Sequence, residues 1–375
     1  MKAATAHVET AVHAVLPSSI TILATYKCTA ECEQCCFESN PRLTTRLSLK
    51  TILQRIDEAY KNFPALKLVV FSGGECFLLK DDLFAAISHA SSLGLLTRCV
   101  SNGYWGKNPK KAEETVKKLN LAGLTEINFS TGLDHQKWVP LASIANACSA
   151  TINGGIRTAL SIEKDDATSA CYQSATEHPL IRAVLPSPMF MVQKASWMPF
   201  HESASPRSKG NIPALQKGCK QILTNLVVTP HDYLSACCGL THEHIPELKL
   251  GSLEASPMRE LFDAQFEDFL KIWIHVDGPH SIIRRLFGDG GEGALANVVH
   301  MCQACVILHK NPSVISALRQ RYFEFVPEVM ARFNLSLALA NADLLALTNQ
   351  RHILLEKRAR ATPSNSVVLA QESQN

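Results

Sequence analysis

Short apolar, β-branched runs alternate with longer amphipathic segments through the first half of the chain. The strand-like runs cover residues 20–26, 66–72, 97–101, 126–131, 157–162 and 181–186. Helix-length segments lie between them, among them Ser48–Asn62, Leu79–Leu93, Lys110–Leu119 and Ile144–Ala150. Because this alternation is typical of parallel strands joined by crossover helices, the pattern predicts an α/β fold of six βα units. The periodicity alone leaves an open barrel and a doubly wound sheet both possible.

Small and polar residues follow the ends of the predicted strands. Gly73, Gly74 and Glu75 follow the second strand, and later strand ends carry Asn102, Ser130, Ser161 and Glu163. In parallel α/β folds, ligands bind at this edge of the sheet. Consecutive glycines let backbone carbonyl groups approach a ligand closely, and carboxylates are good acceptors for an ammonium group. The same residue types are also common in turns, so both interpretations stay open. His135, just after the fourth strand, is a candidate proton relay or an ordinary surface histidine.

Three of the thirteen cysteines, Cys28, Cys32 and Cys35, form a C-x3-C-x2-C motif directly after the first predicted strand. Three thiolates in one loop can bind three irons of a [4Fe–4S] cluster and leave the fourth iron open to a small ligand. The alternative is a zinc site. Structural zinc takes four ligands, but Cys36 immediately follows Cys35 and no histidine lies close by. The motif therefore favours the cluster.

The C-x3-C-x2-C motif, followed one strand later by Gly-Gly-Glu, resembles the signature of the radical S-adenosylmethionine (SAM) enzymes. The resemblance implies a partial (β/α)6 radical SAM barrel over residues 19–200. It implies that the open iron binds SAM, whose reductive cleavage gives a 5′-deoxyadenosyl radical that takes a hydrogen atom from a substrate. Gly73, Gly74 and Glu75 would hold the amino group of SAM. Its ribose and carboxylate would meet the polar strand-end residues Asn102, Ser130, Ser161 and Glu163.

A second group of cysteines lies further along the chain, at Cys219, Cys237, Cys238, Cys302 and Cys305. Residues 222–237 have the pattern of a β-hairpin with Pro-His-Asp as its turn. Cysteines around a hairpin, followed by C-x2-C, resemble the SPASM and twitch extensions of radical SAM enzymes. The resemblance implies a small domain over residues 201–310 with an auxiliary [4Fe–4S] cluster. Its ligands would be Cys219, Cys237, Cys302 and Cys305.

The second cysteine group departs from the twitch pattern at one turn position. Asp232 stands where a glycine is usual, five residues before Cys237. Because aspartate tolerates left-handed turn geometry better than most residues, the hairpin is still expected to form. Two alternatives stay open, namely Cys238 as a ligand instead of Cys237, and a zinc ribbon made by the same four cysteines.

Composition excludes several other classes of protein. The net charge of +3 is too small to predict a nucleic-acid partner, and no apolar run is long enough to span a membrane. Residues 1–18, an N-terminal extension, lack the unbroken apolar core of a signal peptide. We therefore expect a cytoplasmic protein, in which clustered thiols indicate metal ligands. Residues 311–360 are predicted to be helical and residues 361–375 to be a disordered tail.

The resemblance implies an oxidoreductase, and the auxiliary cluster favours oxidative modification of a ribosomally made peptide, by cross-linking or dehydrogenation. The alternative is an epimerase or dehydrogenase of a small molecule of the sugar or aminocyclitol type. A non-catalytic zinc or iron–sulfur scaffold is an alternative of another class. Cys76 and Cys238 are candidate hydrogen-atom donors, which epimerisation would require. A flavodoxin- or ferredoxin-type protein is the expected electron donor.

Overall fold

Six parallel strands form the centre of the molecule. The computed structural model describes residues 15–164, 170–196, 198–200, 210–288 and 292–342. The strands are β1 (Ser19–Thr25), β2 (Leu68–Gly73), β3 (Leu96–Ser101), β4 (Glu126–Thr131), β5 (Arg157–Lys164) and β6 (Phe190–Ser196). Each strand pairs in parallel with the next one along the chain. This topology confirms the predicted α/β fold of βα units.

Helices connect these strands. They are α1 (Leu49–Asn62), α2 (Asp81–Ser92), α3 (Pro109–Ala122), α4 (Leu133–Gln136), α5 (Leu141–Asn153), α6 (Ala170–Glu177) and α7 (Pro179–Val184). The first of them shows how the sequence defines a helix. The side chain of Ser48 accepts a hydrogen bond from the backbone N–H of Thr51 and so caps α1. Ile52, Ile56 and Ala59 follow at helical spacing and are buried.

The prediction of a sixth strand at residues 181–186 is wrong. Pro179–Val184 form α7, and the sixth strand is β6, ten residues further on. Pro179 lies in the first turn of the helix, where its missing N–H costs no hydrogen bond. Ile181 and Val184, three residues apart, are the buried positions of α7. The apolar run therefore has the periodicity of a helix and not of a strand.

The sheet continues from β1 into the second half of the chain. β7 (Asn225–Val228) pairs in parallel with β1, β8 (Tyr233–Ser235) pairs antiparallel with β7, and β9 (Lys249–Ser252) pairs antiparallel with β8. This arrangement confirms the predicted hairpin between Cys219 and Cys237. The helices of this half are α8 (Ile212–Leu215), α9 (Met258–Asp263), α10 (Phe269–Asp277), α11 (Pro279–Phe287), α12 (Glu292–Leu295), α13 (Met301–Lys310) and α14 (Pro312–Arg321).

The C-terminal helices are confirmed as far as residue 342. The chain is helical over 312–321 and again over 326–342. The predicted remainder of this helical segment, the predicted tail and residues 1–14 lie outside the described residues. Within the described ranges, no helix is both long enough and apolar enough to cross a membrane.

The turn of the β7–β8 hairpin is held by a buried ion pair. Asp232 has a φ of 59°, the left-handed conformation expected at this position. Its carboxylate accepts two hydrogen bonds from Arg55 of α1, at 2.8 Å to Nε and 2.6 Å to Nη2. Arg55 also donates to Glu58 at 2.7 Å and to the carbonyl of Leu253 at 3.0 Å. A glycine could form this turn, but the aspartate also fastens the hairpin to the barrel.

We expect Asp232→Ala to destabilise the protein by about 3 kcal/mol, because it removes one partner of a buried ion pair. The Arg55 side chain is 6% exposed and would keep its charge without its main counter-charge. Urea-induced unfolding followed by circular dichroism measures the loss. Glu324→Ala is the control, since its pair with Arg321 is 41% exposed on both sides and solvent screening leaves it with little effect on stability. Equal losses in the two variants would contradict the role assigned to Asp232.

Candidate active site

A cavity of ≈430 Å³ opens at the carboxyl ends of the parallel strands. Every strand of the parallel set contributes to its wall, through Thr21, Leu23, Val70, Ser72, Val100, Ser130, Ser161, Glu163, Ala195 and Ser196. Because six consecutive strands face one space, the sheet is curved into a partial barrel. A larger depression of ≈560 Å³ between α3 and α5 contains none of the predicted site residues.

Cys28, Cys32 and Cys35 all line this cavity. Burial, and after it the negative charges of Cys35 and Cys28, raise the pKa of the Cys32 thiol to about 12. A hydrogen bond from the thiol of Cys36 lowers the pKa of Cys35 to about 6. The sulfur of Cys28 accepts hydrogen bonds from the backbone N–H of Ala30 and from the side-chain amide of Asn102. The three predicted ligands are thus electrostatic neighbours at one side of the cavity.

The three cysteines supply thiolate donors of the kind and number that a [4Fe–4S] cube with one open iron takes. Among the residues that the structure describes, no three His, Cys, Asp or Glu side chains converge closely enough to hold one metal ion. A zinc ion with Zn–S bonds of about 2.3 Å draws its ligands close together. A [4Fe–4S] cube spreads its thiolates further apart, because each binds a different iron. The donor set of Cys28, Cys32 and Cys35 therefore fits a cube with three protein ligands.

Gly73 and Gly74 pack directly against the start of the cysteine loop, and both line the cavity. The backbone N–H of Gly74 donates to the carbonyl of Thr25 at 2.7 Å. A Cβ atom at Gly73 would lie 2.3 Å from that carbonyl oxygen, and one at Gly74 would lie 2.3 Å from the carbonyl oxygen of Lys27. Gly73 also has a φ of +121°. Both positions therefore require glycine.

Glu75 is fully buried and is absent from the cavity wall. Its carboxylate accepts hydrogen bonds from the hydroxyl of Ser101 at 3.1 Å and from the backbone N–H groups of Asn102 at 2.8 Å and Phe77 at 3.1 Å. Burial raises the pKa of Glu75 to about 7. The carboxylate thus joins the ends of β2 and β3, and the part of the Gly-Gly-Glu motif that faces the cavity is its glycine backbone.

The other predicted SAM contacts, Asn102, Ser130, Ser161 and Glu163, all lie on the cavity wall. Ser161 donates to the side-chain carbonyl of Asn128 at 3.2 Å, and Asn102 donates to the hydroxyl of Thr29 at 3.0 Å. Neighbouring lining residues that the strand-end pattern did not assign include Met198, Phe200 and Leu240. They come from outside the barrel strands, so no periodicity could have indicated them.

His135 also lines the cavity, from the short helix α4 that follows β4. Its Nδ1 atom is buried and has no hydrogen-bond partner within the described ranges. Burial lowers the pKa of His135, so the neutral imidazole is favoured at neutral pH. Of the two interpretations made from the sequence, the structure places the ring in the cavity and not on the outer surface.

Four members of the second cysteine group, Cys219, Cys237, Cys302 and Cys305, are electrostatic neighbours. Burial, and after it the charges of Cys305 and Cys219, raise the pKa of Cys237. Burial raises the pKa of Cys302 to about 11, and the charge of Cys219 contributes. A Cβ atom at Gly239 would lie 3.2 Å from the sulfur of Cys302 and 3.5 Å from that of Cys237. Four cysteines from three parts of the chain therefore meet in one place, and they fit a second cluster.

Comparisons with known proteins support the assignment of the fold. No family model matches the chain. It is 32% identical over 124 residues to the putative peptide biosynthesis protein YydG of Bacillus subtilis (strain 168). The match spans 32% of this chain and 37% of YydG, so the chain covers little more than a third of that relative's length. The solved structure of native anSMEcpe with bound AdoMet superposes with a TM-score of 0.52 and 11% identity, over 85% of this chain and 100% of that one. Native anSMEcpe with AdoMet and the Cp18Cys peptide gives a TM-score of 0.51 and 10% identity, over 85% and 99%.

The shared fold places the C-x3-C-x2-C loop after β1, beside the glycine pair that follows β2. The chain has the fold of these two AdoMet-bound structures. Direct contacts join the two loops that carry the first motif and the second cysteine group. Tyr26, just before the first motif, donates its hydroxyl hydrogen to Glu243, and the ring of Phe37 lies 5.6 Å from that of His242. The loop after β8 thereby packs onto the loop after β1.

The two cysteines predicted as hydrogen donors, Cys76 and Cys238, occupy different environments. Cys76 is fully buried, donates to the carbonyl of Val100 at 3.3 Å and is absent from the cavity wall. Cys238 lines the cavity. The preceding residue, Cys237, is 6% exposed and is absent from the cavity wall. Cys238 thus lines the cavity and is also an electrostatic neighbour of Cys237, Cys219 and Cys302.

Proposed function

We propose that the protein is a radical SAM peptide epimerase. In this proposal Cys28, Cys32 and Cys35 hold the [4Fe–4S] cluster to which SAM binds, and Cys238 returns a hydrogen atom to the substrate. The observation that carries the proposal is the Cys238 thiol on the wall of the cavity that Cys28, Cys32 and Cys35 also line. An oxidation needs no such donor, whereas inversion of a carbon centre does.

When bound, the cluster and SAM supply a 5′-deoxyadenosyl radical, which removes a hydrogen atom from the substrate. The chain's own residues bind and orient the reactants. Gly73 and Gly74 line the cavity, and their backbone carbonyls would accept hydrogen bonds from the ammonium group of SAM. Glu75 accepts a hydrogen bond from the backbone N–H of Asn102 and so ties the end of β2 to the end of β3. The hydroxyls of Ser130 and Ser161, with Asn102 and Glu163, offer hydrogen bonds to the ribose and carboxylate of SAM.

The second cysteine group is proposed to bind an auxiliary cluster. Cys219, Cys237, Cys302 and Cys305 would hold a second [4Fe–4S] cluster, while Cys238 stays a free thiol. Low-potential electrons would come from a flavodoxin- or ferredoxin-type protein in the cytoplasm. A peptide substrate is supported by the name of YydG and by the peptide bound to anSMEcpe. Oxidation of a peptide, or of a sugar- or aminocyclitol-type molecule, is the competing outcome.

The test uses the anaerobically reconstituted enzyme and a low-potential reductant in heavy water, with synthetic candidate peptides taken from any short reading frames that flank its gene. We expect a product of inverted configuration that carries one solvent deuterium at the reacting carbon, because a thiol hydrogen exchanges with solvent. Cys238→Ala should abolish this product and keep 5′-deoxyadenosine formation. Cys76→Ala is the matched control and should leave the product unchanged. A product that has lost two hydrogens and carries no deuterium would replace epimerisation by oxidation.

A further inference from the structure

The thiol of Cys238 is held between two side-chain amides. Its S–H donates to the amide oxygen of Gln221 at 3.2 Å, and the amide nitrogen of Asn225 donates to its sulfur at 3.3 Å. The same nitrogen of Asn225 also donates to the oxygen of Gln221 at 2.9 Å. The sulfur of Cys238, the amide nitrogen of Asn225 and the amide oxygen of Gln221 are thus all in mutual hydrogen-bond contact.

Asn225 is itself fixed by the sheet. It is the first residue of β7, is 6% exposed, and accepts hydrogen bonds from the hydroxyls of Ser19 at 3.2 Å and Thr21 at 3.1 Å on the paired strand β1. Thr21 also lines the cavity. The pairing of β7 with β1 therefore positions the amide that contacts the thiol. Gln221, which precedes β7 and is exposed, completes the contact from the other side.

We infer that Gln221 is a positioning residue for hydrogen-atom transfer from Cys238. The inference rests on the proposed epimerase function. An S–H group is a weak donor, so its hydrogen bond to Gln221 can orient the thiol and still break during transfer. Together the two amides restrict rotation of the Cys238 side chain and keep its sulfur at the cavity wall. Cys76, whose S–H is bonded to a backbone carbonyl inside the core, has no comparable position.

Hydrogen-atom transfer from Cys238 to the substrate radical conserves atoms and electrons. The S–H bond of Cys238 breaks and a C–H bond forms at the substrate radical, on the face opposite to the one that lost its hydrogen. A thiyl radical remains on Cys238. One electron from the flavodoxin- or ferredoxin-type donor and one proton from solvent restore the thiol. Gln221 exchanges no electron or proton in this sequence and acts only through the orientation of the thiol.

The experiment compares wild type, Gln221→Leu and Gln221→Glu as reconstituted full-length enzymes in heavy water, with the candidate peptide that the wild type converts. The measured quantity is deuterated product formed per 5′-deoxyadenosine. We expect this ratio to fall about fivefold in Gln221→Leu, because one hydrogen bond of ordinary strength is lost. Gln221→Glu keeps an oxygen acceptor and should restore most of the ratio. Gln216→Leu, an exposed glutamine of the same segment, is the matched control and should leave it unchanged.

A second measurement needs no turnover. The infrared S–H stretching band of Cys238, isolated as the difference between wild type and Cys238→Ser, should move to higher frequency in Gln221→Leu as the hydrogen bond is lost. An unshifted band, or an unchanged product ratio in Gln221→Leu, would overturn the inference. Failure of the proposed function would be recognised separately, by the absence of deuterated product from the wild type. The inference would then fall even if the band shifted.

Discussion

Cys32→Ala is expected to abolish the formation of 5′-deoxyadenosine. Cys32 is the middle ligand of a loop whose three thiols converge on one side of the cavity. With two thiolates left, the cube would lose a protein ligand, and SAM would lose the site-differentiated iron that binds it. The measurement is 5′-deoxyadenosine by liquid chromatography after anaerobic reduction with dithionite. We expect the variant to give only the background of the enzyme-free reaction.

Cys36→Ala is the matched control for that substitution. Cys36 lies four residues further along the same loop and bonds to Cys35, but the motif spacing excludes it from the ligand set. We expect it to retain cluster binding and SAM cleavage. Two results would contradict the assignment of Cys28, Cys32 and Cys35 as cluster ligands. One is a wild-type amount of 5′-deoxyadenosine from Cys32→Ala. The other is loss of 5′-deoxyadenosine in Cys36→Ala alone.

Most of the fold could be predicted from the sequence, because the residues that define each helix and strand lie close together in the chain. Strand and helix periodicities repeat along the chain, and the caps lie within a few residues of each helix, as Ser48 and Thr51 show for α1. The sixth strand was misplaced for a reason of the same kind. The run at 181–186 is apolar enough for a strand, but Pro179 and the three-residue spacing of Ile181 and Val184 indicate a helix. The spacing of the apolar residues, and not their number, therefore distinguishes the helix from a strand.

The site could be predicted only in part, because its details depend on contacts between distant strands. The spacing of Cys28, Cys32 and Cys35 identified the loop, and the polar strand ends identified the cavity wall. The orientation of Glu75 depends on Ser101 and Asn102 of the neighbouring strand end, which nothing in the Gly-Gly-Glu motif encodes.

The distinction between Cys237 and Cys238 likewise depends on tertiary structure. The pairing of β7 with β1 brings Asn225 to one of these thiols, while Cys305 and Cys219 surround the other. Both residues lie beyond the end of β8, so strand alternation does not fix the direction of either thiol. The sequence therefore gave no indication of which of the two cysteines lines the cavity.

The auxiliary site yields the second large expected effect. In the variant Cys302→Ala/Cys305→Ala, we expect the iron content to fall from about eight to about four per chain, since a [4Fe–4S] cube keeps four irons only when its thiolate ligands are present. Cys302 and Cys305 lie on one turn of α13, and both are electrostatic neighbours of Cys219. Iron and acid-labile sulfide are measured on anaerobically reconstituted protein.

The same variant separates the two sites functionally, because Cys28, Cys32 and Cys35 belong to another loop. Formation of 5′-deoxyadenosine without product should survive, while product formation should be lost. Cys148→Ala/Cys171→Ala replaces two buried cysteines outside both groups and should keep about eight irons. Iron content unchanged by Cys302→Ala/Cys305→Ala would remove the auxiliary cluster from the proposal. Zinc in place of iron, with no sulfide in the wild type, would remove the radical chemistry altogether, since zinc has no redox activity and SAM cleavage requires an electron from the metal site.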